Sequence, residues 1–239
     1  MGMTLPKFLR HLLLLDERRC PLCLEPFVPS GKAGQPFCPE CLKGLTEAQG
    51  PCCEGCGRLL QSPSAYCGTC LQSPPPWLAL RRIGPYRRLL RGAVLRGKFH
   101  GDIALLTALG MLLGSLIQAR PFPKAPQTIV PIPLHPARLR ERGFNQSLEI
   151  SRGIAKTLGL PPAPALLERI RNTPSQRTLK RAGRMANLKD AFLGRPEARG
   201  KHILLIDDVM TTGSTLKTAA DTLLNAGAAS VSVAVLARD

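Results

Sequence analysis

Aromatic residues are scarce in this chain: they make up 4% of its 239 residues, with one Trp and two Tyr. That argues against an extended platform of rings on which nucleic-acid bases could stack. No His-x-Glu motif occurs anywhere, which excludes a zinc deaminase with its glutamate acid/base. Long apolar runs are missing as well. The N-terminal MGMTLPKFLRHLLLLDERR offers four consecutive leucines before Asp16 and Glu17 stop it, with no small-residue cleavage site. A signal peptide or membrane span is therefore not expected. A short amphipathic helix fits better, with Leu5, Phe8, Leu9, Leu12 and Leu13 along one side. Cysteine is absent after residue 70, and acids are few, 16 Asp and Glu against 33 Lys and Arg. A hydrophobic content of 44% nevertheless supports a packed core, and the length suits one ordinary domain plus a small one.

The formal charge of +17 is unevenly placed. Residues 1–76 hold seven Lys and Arg against six acids, so nearly all of the excess lies beyond. From Arg81 to His100 there are seven cations and no acid, and from Arg138 to Lys189 twelve against three. A solvated basic face is the plain interpretation. A site for phosphates or nucleic acid gains more from such a field.

All nine cysteines fall between residues 20 and 70, and eight form CxxC pairs: Cys20 and Cys23, Cys38 and Cys41, Cys53 and Cys56, Cys67 and Cys70. Two such turns complete a four-sulfur zinc shell. Without a secretory signal the expected compartment is the reducing cytoplasm, which disfavours disulfides. Two structural zinc ions are therefore expected, either pairing the turns in sequence or interleaving them. Four sulfurs leave a metal no open position, so these zincs are folding staples. Cys52 is left over as a plain thiol. LQSPPPWLAL then breaks regular structure, placing a domain boundary near residue 76.

The remaining 163 or so residues, 77–239, alternate helical and strand-like segments. The spacing predicts helices over 102–119, 147–158 and 214–226, with strands at 128–133, 202–206 and 229–238. That order points to an α/β fold with a parallel, helix-covered sheet, in which ligands bind beyond the strands' carboxyl ends. GAVLRGKF, Gly92 to Phe99, matches the first seven places of a phosphate-binding P-loop. Its eighth place must be Ser or Thr to hold magnesium and is Phe99.

The decisive stretch is HILLIDDVMTTGSTLKTAA, residues 202–220. A buried apolar run ends in Asp207 and Asp208 and feeds a helix through Thr211, Thr212, Gly213, Ser214 and Thr215. Amides and hydroxyls at a helix start favour a phosphate, and two acids can accept hydrogen bonds from vicinal hydroxyls. A phosphate at one end and a diol at the other describe a ribose 5-phosphate.

ILLIDDVMTTGST resembles the phosphoribosyl-pyrophosphate (PRPP) signature of type I phosphoribosyltransferases. With the double zinc ribbon, PPPW, VPIPLHPARLRERGFNQS and RIRNTPSQRTLKRAGRMANLKDAF, nearly the whole chain resembles the ComF family, also called ComFC or GntX-like proteins. The resemblance implies a type I phosphoribosyltransferase-like parallel sheet with flanking helices, preceded by a double zinc-ribbon domain. It implies that Asp207 and Asp208 bind the ribose hydroxyls and that Thr211 to Thr215 bind the 5-phosphate. Leu134 and His135 would face the pyrophosphate, with Arg138 and Arg142 neutralising it and magnesium held mainly by PRPP oxygens. The stretch from Arg169 to Lys189 matches a hood over the site, with Arg171, Gln176, Lys180 and Arg184 as candidates. Family ties to natural competence imply single-stranded DNA and competence-machinery proteins as partners. Two principal function classes stay open: a DNA-handling protein with a PRPP site, and a transferase acting on a nitrogenous acceptor. A purely structural zinc adaptor is the third, and it would have no use for Asp207 or Asp208.

Overall fold

The structure is a computed structural model that describes residues 17–29, 35–47, 50–61, 64–171 and 191–239. The amphipathic N-terminal segment and the hood candidates Gln176, Lys180 and Arg184 lie outside the described residues.

Two short antiparallel strands, β1 (Arg18–Arg19) and β2 (Pro26–Phe27), close the turn that carries Cys20 and Cys23. Helix α1 (Pro39–Thr46) starts directly after Cys38 and carries Cys41. The second ribbon repeats this plan. Cys52 bridges Leu59 across the turn of Cys53 and Cys56, and α2 (Gly68–Gln72) starts after Cys67 and carries Cys70. In each turn the residue after the second cysteine is left-handed, Leu24 at φ 66° and Gly57 at φ 68°. Its N–H thereby turns back onto the carbonyl of the first cysteine, at 2.8 Å in both ribbons.

Beyond the ribbons, four parallel strands form the central sheet: β3 (Leu80–Pro85), β4 (Thr128–Pro131), β7 (His202–Met210) and β8 (Ser230–Arg238), in the order β3-β8-β7-β4. A small antiparallel hairpin of β5 (Leu167–Arg169) and β6 (Phe192–Gly194) stands apart from it. Side chains of β7 alternate as the pleat demands. Leu204 and Ile206 enter one core with helices α3 (Arg88–Phe99), α4 (Ile103–Ala119) and α6 (Gln146–Leu158). Ile203 and Leu205 enter the other, with α7 (Ser214–Asn225) and the hairpin. This three-layer arrangement is the expected α/β architecture.

Helices α4 and α6 pack so closely that Gly110 and Gly153 lie backbone to backbone. A Cβ on Gly153 would fall on the Thr107 carbonyl oxygen, which cannot yield without moving the helix. Gly153→Ala should therefore lower stability by about 1–3 kcal/mol, read as a lowered midpoint in urea unfolding.

Three elements depart from the pattern read in the sequence. Strand β7 runs on to Met210, so Asp207 and Asp208 lie within it, because β8 pairs alongside as far as Arg238. Strand β3, LRRIGP, has no apolar signature, and its Arg81 is buried. Residues 136–142, to which the sequence pattern assigns no helix or strand, form the short helix α5 (Pro136–Arg142).

Candidate functional site

The cysteine clusters settle the zinc pairing. Cys20, Cys23, Cys38 and Cys41 converge in one group, and Cys53, Cys56, Cys67 and Cys70 in another, all sulfurs of each within 4.8 Å of one another. Pairing is thus sequential. A Zn–S bond of about 2.3 Å implies a tetrahedral edge of about 3.8 Å. Cys23 and Cys38 place their Sγ atoms 3.8 Å apart, and Cys56 and Cys67 3.7 Å. The Cys67 N–H also points at Cys53 Sγ, at 3.3 Å. Both groups fit zinc, and two structural zinc sites follow.

At the carboxyl edge of the sheet the two acids have different surroundings. Asp208 is buried; its Oδ1 accepts from the Val209 N–H at 2.7 Å and its Oδ2 from Lys98 Nζ at 2.6 Å. Asp207 is half-buried, and its Oδ1 accepts from Ser147 Oγ at 3.1 Å and from the Asp208 N–H at 2.9 Å. Burial, and then the Asp208 carboxylate, push Asp207 up to about 7, while the Asp208 N–H, Lys98 and Ser147 pull the other way.

After Met210 the chain turns into α7 through Gly213, at φ 79°. A side chain there would be strained and would also strike the Met210 methyl. Gly213 is the helix cap and brings no side chain to the first-turn amides. Thr212 and Ser214 share a hydroxyl contact of 2.9 Å beside them, and the Asp239 N–H holds the Met210 carbonyl at 3.0 Å. The result is a turn of small residues at the positive end of a helix, next to two carboxylates.

A family model of the phosphoribosyl transferase domain matches residues 145–239, and one of the double zinc ribbon domain matches residues 12–71. The chain is 36% identical over 222 residues to the DNA utilization protein YhgH of Salmonella typhimurium, covering 92% of this chain and 96% of that one. It is 32% identical to competence protein F of Haemophilus influenzae, covering 84% and 90% respectively. With competence protein ComFC of Bacillus subtilis it shares 32% identity over 87% of this chain and 86% of that one. The chain belongs to the ComF family. Among its described residues no helix is long and apolar enough to cross a membrane.

Within this ComF chain the RGFNQS segment works as one piece against the site. Arg142 donates to Gln146 Oε1 at 2.7 Å, and Asn145 donates through Nδ2 to the Ile132 carbonyl at 3.1 Å, bracing the turn after β4. Asn145 also caps α6, and Ser147 reaches Asp207. In the same turn, His135 Nδ1 accepts the Ala137 N–H at 3.2 Å and so caps α5. Burial, and then the nearby Arg138 charge, push the Arg169 guanidinium below its ordinary value, while Asp207 pulls the other way. Arg171 is exposed at the end of the described hairpin arm.

Sequence reasoning missed Lys98, Ser147, Asn145 and Arg169. Ser147 and Asn145 were visible as part of the family motif, and Lys98 as the lysine of the false P-loop. That segment lies inside α3, so it forms no phosphate loop at all.

The basic stretch from Arg81 to His100 also reads differently in three dimensions. Arg81 binds Glu54 and the carbonyls of Arg120 and Pro121, and Arg82 donates to the Gly57 carbonyl. Arg96 binds Asp102 and the carbonyls of Pro21 and Leu22, while Lys98 binds Asp208. Four of the seven cations thus join ribbon to sheet or serve the acid pair. Arg87, Arg88 and Arg91 remain exposed at the other end of α3, where Arg88 meets Glu47 at 3.2 Å and Arg91 lies 5.9 Å from the Tyr86 ring.

Proposed function

We propose that this ComF protein binds PRPP together with magnesium at the carboxyl edge of its sheet and acts in the cytoplasm in DNA uptake or utilisation, binding single-stranded DNA. The observation that carries the first part is the pairing of Asp207 and Asp208 with a glycine-opened helix start beside the Thr212 and Ser214 hydroxyls. Asp207 and Asp208 accept the ribose hydroxyls, and residues 211–215 take the 5-phosphate. The turn of Leu134, His135, Arg138 and Arg142 faces the pyrophosphate. Bound magnesium supplies neutralisation of the pyrophosphate charge. The names of the relatives, the +17 charge and the exposed Arg87, Arg88 and Arg91 support the DNA-handling role.

One observation favours a second reading, a phosphoribosyltransferase with a nitrogenous acceptor. A cavity of about 620 Å³ lies between Pro133–Pro136 and the β5/β6 hairpin, walled by Leu166, Leu167 and Arg169. Its size suits a small planar molecule. Pyrophosphate release from PRPP with magnesium, across a panel of bases and single-stranded DNA, separates the two. Release with one acceptor, absent from a variant lacking both acids, identifies an enzyme. PRPP binding without release leaves a sensor. DNA affinity that falls steeply with salt supports strand binding, and salt-independent or absent affinity removes it.

A further inference from the structure

The ribose site and the first zinc ribbon meet on one helical turn. Arg96 and Lys98 both lie in the last turn of α3. From there Lys98 reaches Asp208, 110 residues away in sequence, with its side chain and that of Asp208 largely removed from solvent. Arg96 reaches in another direction, to Asp102 at 2.9 Å and to the carbonyls of Pro21 and Leu22. Those carbonyls lie inside the Cys20–Cys23 turn, so their orientation is set when the four sulfurs close on a metal. Gly97, between the two cations, packs directly against Leu106, where a Cβ would collide, so the turn is clamped onto α4 as well. A turn held at three points has little freedom to tilt, and Lys98 inherits its position from those anchors.

We propose that the end of α3 is a positioning element of the PRPP site, in which Lys98 holds Asp208 while Arg96 ties the same turn to the first zinc knuckle, coupling that knuckle to ribose binding. Lys98 serves two purposes. It fixes the Asp208 carboxylate against the Val209 N–H, and it balances charge for two adjacent acids that must accept hydrogen bonds from a diol. Among the described residues the charged groups acting on Asp207 are Asp208 on its own strand, Lys98 from α3 and Arg169 from β5, and Arg138 from α5 acts on Arg169. Removing Lys98 leaves Asp207 harder to ionise, so binding should demand a higher pH. Removing Arg96 leaves Lys98 in place chemically but frees the turn that aims it.

The inference rests on the PRPP reading, and its test separates the two. Calorimetric Kd values for PRPP with magnesium are measured from pH 6 to 9 for the wild type, Lys98→Met, Lys98→Arg and Arg96→Gln, with zinc content determined in parallel. Lys98→Met is expected to bind about tenfold more weakly at pH 7.5 and to shift the pH midpoint upward, with two zincs retained. Lys98→Arg should recover most of the affinity and restore the midpoint. Arg96→Gln should weaken binding about threefold without moving the midpoint. Wild-type affinity and pH profile in Lys98→Met, or wild-type affinity in Arg96→Gln, would overturn the proposal. If the wild type itself does not bind PRPP, the functional reading falls, and amide hydrogen exchange decides the coupling. Protection of residues 207–210 should then drop in both Arg96→Gln and Lys98→Met, and unchanged protection refutes it.

Discussion

Asparagine at both Asp207 and Asp208 should weaken PRPP binding at least about a hundredfold, while the protein keeps two zincs. On the proposed function each carboxylate would accept a charge-assisted hydrogen bond from a ribose hydroxyl, worth about 1.5–3 kcal/mol, so losing the pair should cost two or more orders of magnitude. Calorimetry with magnesium and PRPP reads the first quantity and metal analysis the second. Affinity within a few-fold of the wild type would remove the ribose from this strand end. At Asp207 misfolding is a poor alternative explanation, because its charge opposes folding, whereas Asp208→Asn breaks a buried pair with Lys98, so thermal unfolding of the double variant is measured alongside. The folded value of Asp207, about 7 against an ordinary 3.8, means that the native state holds a proton more tightly than the unfolded chain. Its contribution to stability is therefore full below about 4 and lost as the pH rises towards 7. Above that range Asp207→Asn alone should melt no lower than the wild type.

Serine at Cys53 should remove one zinc per chain and strongly destabilise the fold. A structural zinc site contributes on the order of 10 kcal/mol of apparent binding energy, and this one braces the sheet. Glu54, within the Cys53–Cys56 turn, receives the side chains of Arg81 and Arg120, and its carbonyl accepts the Leu80 N–H of edge strand β3 at 2.7 Å. Trp77 Nε1 donates to the Gly55 carbonyl at 2.8 Å, and Arg238, ending β8, donates to that of Cys56 at 3.1 Å. The knuckle thus covers an edge that would otherwise expose unpaired backbone groups. Zinc analysis and thermal unfolding test the expectation; two zincs with an unchanged midpoint would refute the assignment of this shell. Cys52→Ser is the control, since Cys52 stands outside both sulfur groups.

Local pattern carried much of this protein. The CxxC spacing specifies knuckles because a turn of only three residue steps can hold two sulfurs a tetrahedral edge apart. ILLI followed by two acids and small hydroxylated residues specifies a buried strand feeding a helix start, because burial period and helix capping act over a few residues. Helix α6 stops at Gly159, φ 68°, for the same kind of local reason.

Tertiary structure decided what each cation is for and how the knuckles pair. Arg81, Arg82, Arg96 and Lys98 look alike in sequence, one unbroken basic run inviting a polyanion. Their partners, Glu54, Gly57, Pro21, Leu22 and Asp208, lie between roughly 25 and 110 residues away. Charge acts through distance and burial, and neither is set until the ribbon docks on β3 and α3 closes over the sheet edge. Composition therefore revealed that this chain is basic, and only the fold determined that most of that run binds the protein itself.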